Sequence, residues 1–426
     1  MKSSLLIFTL IFSLVQDILC QEKTISNADE IFTEIKLKSI KHLNPQKALY
    51  NEFLNTIESD IYSNEIKSGL TANLFSYYLA NGSFFTFQNA FEKHGAILDN
   101  SILYRYWNTI SLEYNEQFKE MFKSASALLQ ESEKSGDNQN VSDAYRMLAR
   151  SKMHLNEKDS SLLYANLALN FAKRSDSKIA VANTFKDLSE IQAYFDLIGK
   201  STSTLLKLNQ EAERIKDSYL LCWSTMMIAE RSFKVNSLNE ARTYYRKALN
   251  IAEKNGLELL KIPIYGGLAE IELSNNQLSA ASLNIKKGYQ YFNKQKESIF
   301  YLDFKLIHSK YLIEIDSLFE AEIILFNNLE EYVKLNSSIG QGKTHHLIGR
   351  MYFNEKKWKK AQTSFNISKS ILDRLPYSEY SLGNYKFLAQ VFAEQNEFQK
   401  AFVSLNTFQK YIEDNSYSSG SKAINE

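Results

Sequence analysis

The chain has 426 residues, of which 44% are hydrophobic, so it is long enough for a large core and falls outside the disordered class except at its ends. Fifty Lys and Arg against 49 Asp and Glu leave a net charge of +1, which gives no sign of the clustered basic excess that a nucleic-acid surface needs. Only three prolines and fourteen glycines interrupt it; with abundant Leu, Ala, Lys, Glu and Asn, this predicts helices joined by short polar turns.

Residues 1–20 predict a secretory signal peptide: Lys2, an apolar run from Leu5 to Val15, then a short polar break. The expectation is export to the periplasm or medium, with a mature chain starting near Gln21. A membrane anchor needs about 20 apolar residues, and this run is shorter and interrupted by Asp17. Cys20 raises lipid attachment as an alternative, but Asp17, Ile18 and Leu19 lack the small residue such a site wants just before the cysteine. No later stretch is apolar enough to cross a membrane, so no transmembrane helix is expected after cleavage.

Residues 21–100 read as an N-terminal helical capping region or degenerate repeats. Asn44 and Pro45 make a cap and first-turn pair, and LANGSFFTFQNAF reads as a hairpin. From 101 to 416 a pattern recurs in steps of 40. Met121, Ser161, Ser201, Ala241, Ala281, Ala321, Ala361 and Ala401 form one column, small in all but the first. Three residues earlier stand Phe118, Lys158, Ile198, Leu238, Leu278, Leu318, Trp358 and Phe398, apolar but for Lys158. Twelve residues before the small column come Thr109, Ala149, Ser189, Ala229, Ala269, Ser309, Gly349 and Ala389, all small, each preceded by a residue of the series Asn108, Leu148, Leu188, Ile228, Leu268, His308, Ile348, Leu388. Small residues on each of two helices let the backbones approach, and the large apolar neighbours fill the gaps. Each unit is therefore a helical hairpin, with polar turns such as KVNSLNEA and AEQNEFQKA at equivalent places. One hairpin cannot bury both of its apolar faces, so the units must stack: the predicted fold class is all-α, a solenoid of stacked hairpins.

Within this array Cys222, between Leu221 and Trp223, reads as a small buried apolar residue, and no disulfide framework exists. SSIGQGKTHHLIG, residues 337–349, looks like a phosphate loop. That loop needs glycine five residues before its Gly-Lys pair, where Ser337 stands, and it must join a strand to a helix. Gly340, Gly342 and Lys343 are instead expected in the turn where a first helix begins. His345 and His346 point about 100° apart on a helix and cannot share a metal as residues four apart can. With no HExxH, CxxC or nucleophile elbow, no enzyme, metal or cofactor is expected. Residues 417–426 form a polar tail.

The unit IAERSFKVNSLNEARTYYRKALNIAEKNG resembles a tetratricopeptide repeat, with Ile228 and Ala229 on the first helix and Ala241, Tyr245 and Ala248 on the second. LIGRMYFNEKKWKKAQTSF resembles it through Ile348, Gly349, Tyr352, Trp358, Ala361 and Phe365, and FLAQVFAEQNEFQKAFVSL is the last good match. The units here are longer than the usual period of about 34 residues, like the extended repeats of some bacterial regulators. The resemblance implies a right-handed superhelix whose concave groove, lined by first helices, binds a protein or peptide.

On the first helices, the columns through residues 146 and 150 are expected to face that groove. They supply Arg146, Arg150, Lys186, His346, Arg350 and Lys386, joined by Lys343 one turn before His346, as basic clusters and Glu190, Glu230 and Glu270 as an acidic middle. Such clusters suit a carboxylate clamp; the alternative is that these charges pair between neighbouring helices. The function expected is a non-catalytic interaction scaffold outside the cytoplasm. A sensory ectodomain of a signalling or transcriptional regulator is the second reading, and an enzyme with a helical toroid, whose catalytic clusters are missing, the last.

Overall fold

The computed structural model describes residues 54, 57–58, 64–80, 82–98, 101–292, 298–373 and 379–420, all within one compact unit, 43–426. The predicted export segment, Cys20, Gln21 and the Asn44–Pro45 pair lie outside these residues. Every regular element among them is helical. α1 (Asn64–Ala80), α2 (Phe84–His94) and a 3-10 turn (Gly95–Ile97) come first; α1 and α2 form the hairpin expected at LANGSFFTFQNAF. Eight further hairpins follow: α3 (Ser101–Tyr114) with α4 (Phe118–Ser135), α5 (Asn138–His154) with α6 (Lys158–Arg174), and α7 (Lys178–Tyr194) with α8 (Ile198–Arg214). Next come α9 (Ser218–Lys234) with α10 (Leu238–Asn255), α11 (Glu258–Ser274) with α12 (Leu278–Tyr289), and α13 (Ile299–Glu314) with α14 (Leu318–Lys334). The last are α15 (Ser338–Asn354) with α16 (Trp358–Leu372), and α17 (Glu379–Glu394) with α18 (Phe398–Gly420). Helix α18 carries the chain through the first residues of the expected polar tail, to Gly420.

Consecutive helices pack on one another, and most first helices from α3 to α17 also touch the next first helix, which makes the array an all-α solenoid. The small columns are the seams. Ala149, Ser189, Ala229, Ala269 and Ser309 on first helices are fully buried, as are Ser161, Ser201, Ala241, Ala281, Ala321 and Ala361 on second helices. The hydroxyls of Ser161 and Ser201 donate to the carbonyls of Ala149 and Ser189, at 2.7 and 2.8 Å, so the two columns touch directly. Gly349 meets Phe365: a Cβ there would stand 2.6 Å from the ring.

Turn chemistry sets the helix ends. Asn156, Asp196, Asn236, Asn276, Asp316, Asn336 and Asn396 all have positive φ, and each follows a helix by two residues. Asn and Asp tolerate this left-handed cap, in which the next amide reaches back five residues, as Glu157 N–H does to the Lys152 carbonyl at 2.9 Å. Most first helices start on a capping side chain: Asp137, Ser177, Asp217, Ser298 and Ser337 accept from amides two or three residues on.

The array also returns on itself. The Ile299 amide donates to the Gly82 carbonyl at 2.9 Å, and the Ser338 amide, at the start of α15, donates to the Glu116 carboxylate at 2.8 Å from the α3–α4 turn. Asn336 Nδ2 reaches the Asn115 carbonyl at 3.3 Å beside it. A carboxylate at a helix N-terminus contributes about 0.3–1 kcal/mol. Glu116→Ala therefore speeds hydrogen exchange of the Ser338 amide by roughly two- to fivefold and leaves Ala241 unaffected. Equal exchange in both proteins would show that this contact does not hold in solution.

Candidate functional site

The first helices carry a ladder of charged side chains along the face that their columns share. At its N-terminal end the ladder is a buried cluster. Arg150 forks onto Glu113, with Nε and Nη2 donating at 3.0 and 2.8 Å, while Nη1 donates to Asp187 at 3.1 Å and Glu190 at 2.8 Å. Arg146 bridges Asp187 and Asp143, each at 2.6 Å, and His154 Nε2 lies 2.7 Å from Glu113. Burial opposes the charged form of Glu113, but Arg150 and His154 outweigh it and hold the carboxyl well below the usual carboxylate range; Arg146 and Arg150 do the same for Asp187.

Farther along, the pairs open to solvent. Lys186 lies 3.8 Å from Glu190 and sits over the Trp223 ring, 5.1 Å from its centroid. Glu230 is half exposed and pairs within its own helix with Arg231 at 2.7 Å. Between neighbouring first helices, Glu270 faces Lys310 at 3.7 Å, Asp303 faces Lys343 at 3.6 Å, and Glu314 faces Arg350 at 2.5 Å. Asp303 is the main cause of the raised pKa of Lys343, but Glu230 and Glu270, on α9 and α11, also act on it. The face thus brings side chains of α9, α11 and α15 within electrostatic reach. Lys386 is exposed on α17.

Two of the expected groove residues are buried, not open to solvent. Arg146 and His346 are 8% and 5% exposed, because the residue-146 column packs against the following first helix. Met226 and Leu306, in the same column, are buried as well. His346 lies over Gly383, where a Cβ would stand 2.5 Å from its Cε1. Its Nδ1–H donates to Asn384 Oδ1 at 2.8 Å, since the Asn384 amide nitrogen is committed to the Ser368 hydroxyl. In the residue-150 column, Glu230 and Gln390 are the exposed members.

Burial pushes the His346 pKa down to about 3. The unfolded chain, near 6.5, therefore takes up the proton first, so stability falls as pH drops from about 6.5 toward 3. By pH 5 this amounts to about 2 kcal/mol. In urea titrations at pH 7 and pH 5, His346→Gln lacks that part of the pH dependence; an unchanged slope would show that His346 charges freely in the fold.

The phosphate-loop look-alike is also resolved. Gly340, Gly342 and Lys343 lie within α15, not in the turn before it, and Ser337 is its cap. A Cβ on Gly340 would stand 2.1 Å from the Tyr332 ring, and one on Gly342 would stand 2.7 Å from Leu372. The glycines admit neighbouring side chains at a helix crossing. Cys222 is buried, as expected, and its thiol donates to the Ala248 carbonyl.

No family model and no curated protein matches the sequence. Solved structures do. A Rap protein complexed with competence and sporulation factor aligns at a TM-score of 0.57 and 13% identity, over 81% of this chain and 98% of that one. The Rap conjugation gene regulator of plasmid pLS20, in complex with the Phr* peptide, aligns at 0.55 and 11% identity, over 81% and 96%. Aspartyl phosphate phosphatase F from Bacillus subtilis aligns at 0.53 and 13% identity, over 85% and 97%. Identities this low carry the architecture alone. The seams, the turns and these likenesses agree on it: the described residues have the tetratricopeptide-repeat fold.

Proposed function

We propose that the chain is a non-catalytic, peptide-binding tetratricopeptide scaffold acting outside the cytoplasm, with the open part of the first-helix face as its binding surface. The observation that carries this reading is the row of partly exposed pairs on successive first helices: Glu230, Glu270 with Lys310, and Asp303 with Lys343. First helices pack about 8–10 Å apart, a spacing close to that of alternate side chains on an extended strand, about 7 Å. A peptide lying across them exchanges weak surface pairs, each contributing under about 1 kcal/mol, for its own charges and backbone groups. Two structurally similar proteins are held with a factor or peptide bound, which supports the reading. Export rests on the sequence of residues 1–20. A sensory role is the second reading; similarity to a gene regulator favours it, and it shares the same face.

Neutralising variants at open positions, Glu230→Gln and Lys343→Gln, test the surface without disturbing the buried cluster. Peptides selected from a random display library on the wild-type chain should lose about tenfold in affinity for the double variant, most strongly at low salt. Selected peptides that bind both proteins equally would place the site elsewhere. N-terminal sequencing of the chain from the cell envelope should find a start near Gln21; an intact Met1 on cytoplasmic protein would defeat export.

A further inference from the structure

A second surface lies on the exposed side of α14. Its repeats supply their own control, because equivalent positions on the other second helices show what that face normally carries. At the position of Phe319 the other units have Asp159, Gly199, Asn239, Ser279, Lys359 and Gln399, all exposed. At the position of Phe326 they have Asn166, Arg246, Lys286, Asn366 and Asn406, with Leu206 the exception. At the position of Val333 they have Lys173, Glu213, Glu253 and Asp373. Helix α14 alone replaces all three with large apolar residues, and Ile323 completes the row. Phe319 is 73% exposed, Val333 56%, Ile323 49% and Phe326 40%.

The spacing 319, 323, 326, 333 is one helical stripe about 21 Å long. Leu163, Leu283 and Val403 are exposed at the position of Ile323, so it is Phe319, Phe326 and Val333 together that set α14 apart, and exposing them to water costs free energy that polar residues there avoid. At its N-terminal end the stripe runs into an open cleft between α13 and α14, lined by His308, Leu312, Ser317, Glu320, Ile323 and Ile324. His308 stands where every other unit from the second on has Leu or Ile, and its Nδ1 lies 2.7 Å from the Tyr289 hydroxyl. The departure from the repeat pattern at His308 thus coincides with the departure on α14.

Charge limits what covers the stripe. On α14 itself Glu320, Glu322, Glu330 and Glu331 stand beside it against one cation, Lys334, while Lys357 and Lys305 on neighbouring elements lie within electrostatic reach of Glu322 and Glu331. Two copies placed stripe to stripe would oppose like charges, and an anionic lipid surface would be repelled. We propose that α14 is a docking site for an amphipathic helix of a partner protein, with its apolar stripe bordered by Lys or Arg and one apolar side chain seated in the cleft. This surface is separate from the first-helix face.

The test uses the full chain and three synthetic helical peptides of about 18 residues that share one Leu/Phe stripe and carry Lys, Gln or Glu along its borders. By fluorescence anisotropy at low salt, the Lys peptide should bind about tenfold tighter than the Glu peptide. Phe319→Ser with Phe326→Ser should weaken it by about tenfold or more, and Glu320→Gln with Glu330→Gln should remove the preference for Lys. Phe402→Ser, at an exposed phenylalanine of α18, is the control and should leave binding unchanged. Equal affinity for the three peptides, or an equal loss in the control, overturns the proposal. So does a dimer in sedimentation, or adhesion to anionic vesicles, that the double Phe variant abolishes.

Discussion

Arg150→Met lowers the unfolding free energy by about 3–5 kcal/mol, the usual cost of removing one partner from a buried ion network. Arg150 is the hub: its guanidinium serves Glu113, Asp187 and Glu190 on the first helices before and after its own. Glu113 and Asp187 are 7% and 4% exposed at the side chain. Without Arg150, Glu113 keeps only His154, and Arg146 is left to answer Asp187 and Asp143. Water cannot replace the lost donors at so little exposure.

The effect depends on pH in a direction fixed by the shifts. Glu113 and Asp187 have folded pKa values depressed below their ordinary ranges, so the stability they contribute is present above about pH 4–5 and is lost as pH falls. In the variant these carboxyls protonate more readily in the fold. Urea titrations should therefore show the full gap at pH 7 and a narrower one at pH 4. Arg150→Lys keeps the charge but not the fork, and should fall between the two. A loss below about 1 kcal/mol at pH 7 would reduce the cluster to an ordinary set of surface pairs.

The second large effect belongs to the stretch that looks like a phosphate loop. Gly340→Ala should destabilise the chain by about 3 kcal/mol, although alanine is favoured over glycine by about 1 kcal/mol inside a helix. The added carbon would stand 2.1 Å from the ring of Tyr332, which is fully buried and tied by its hydroxyl to Asp303 at 2.9 Å. That ring cannot swing aside as an exposed side chain would. Gln341→Ala, one residue on, should stay within about 0.5 kcal/mol, and pairing Gly340→Ala with Tyr332→Leu should cost less than the two changes summed. A stabilised Gly340→Ala would mean that the glycine serves something other than this crossing.

The sequence by itself determined the architecture. Ala241, Ala281 and Ala321 mark a seam that must be small wherever two helices cross, and a repeating crossing imprints its column on the chain. The polar turns were legible for the same reason, since a left-handed cap selects Asn or Asp locally. The α14 stripe is legible in the same way, since Phe319, Phe326 and Val333 interrupt columns that are polar in nearly every other unit. What the tertiary structure alone decided is the rotation of each first helix against the next. Neighbouring positions on a helix differ by about 100°, so whether residue 146 or 150 meets solvent depends on how closely the following helix approaches. Gly383, which admits the His346 ring, is the one local sign that His346 is buried. The return of the array, from Glu116 to Ser338, had no sign in the sequence. It sums small rotations over many hairpins, and no local pattern records that sum.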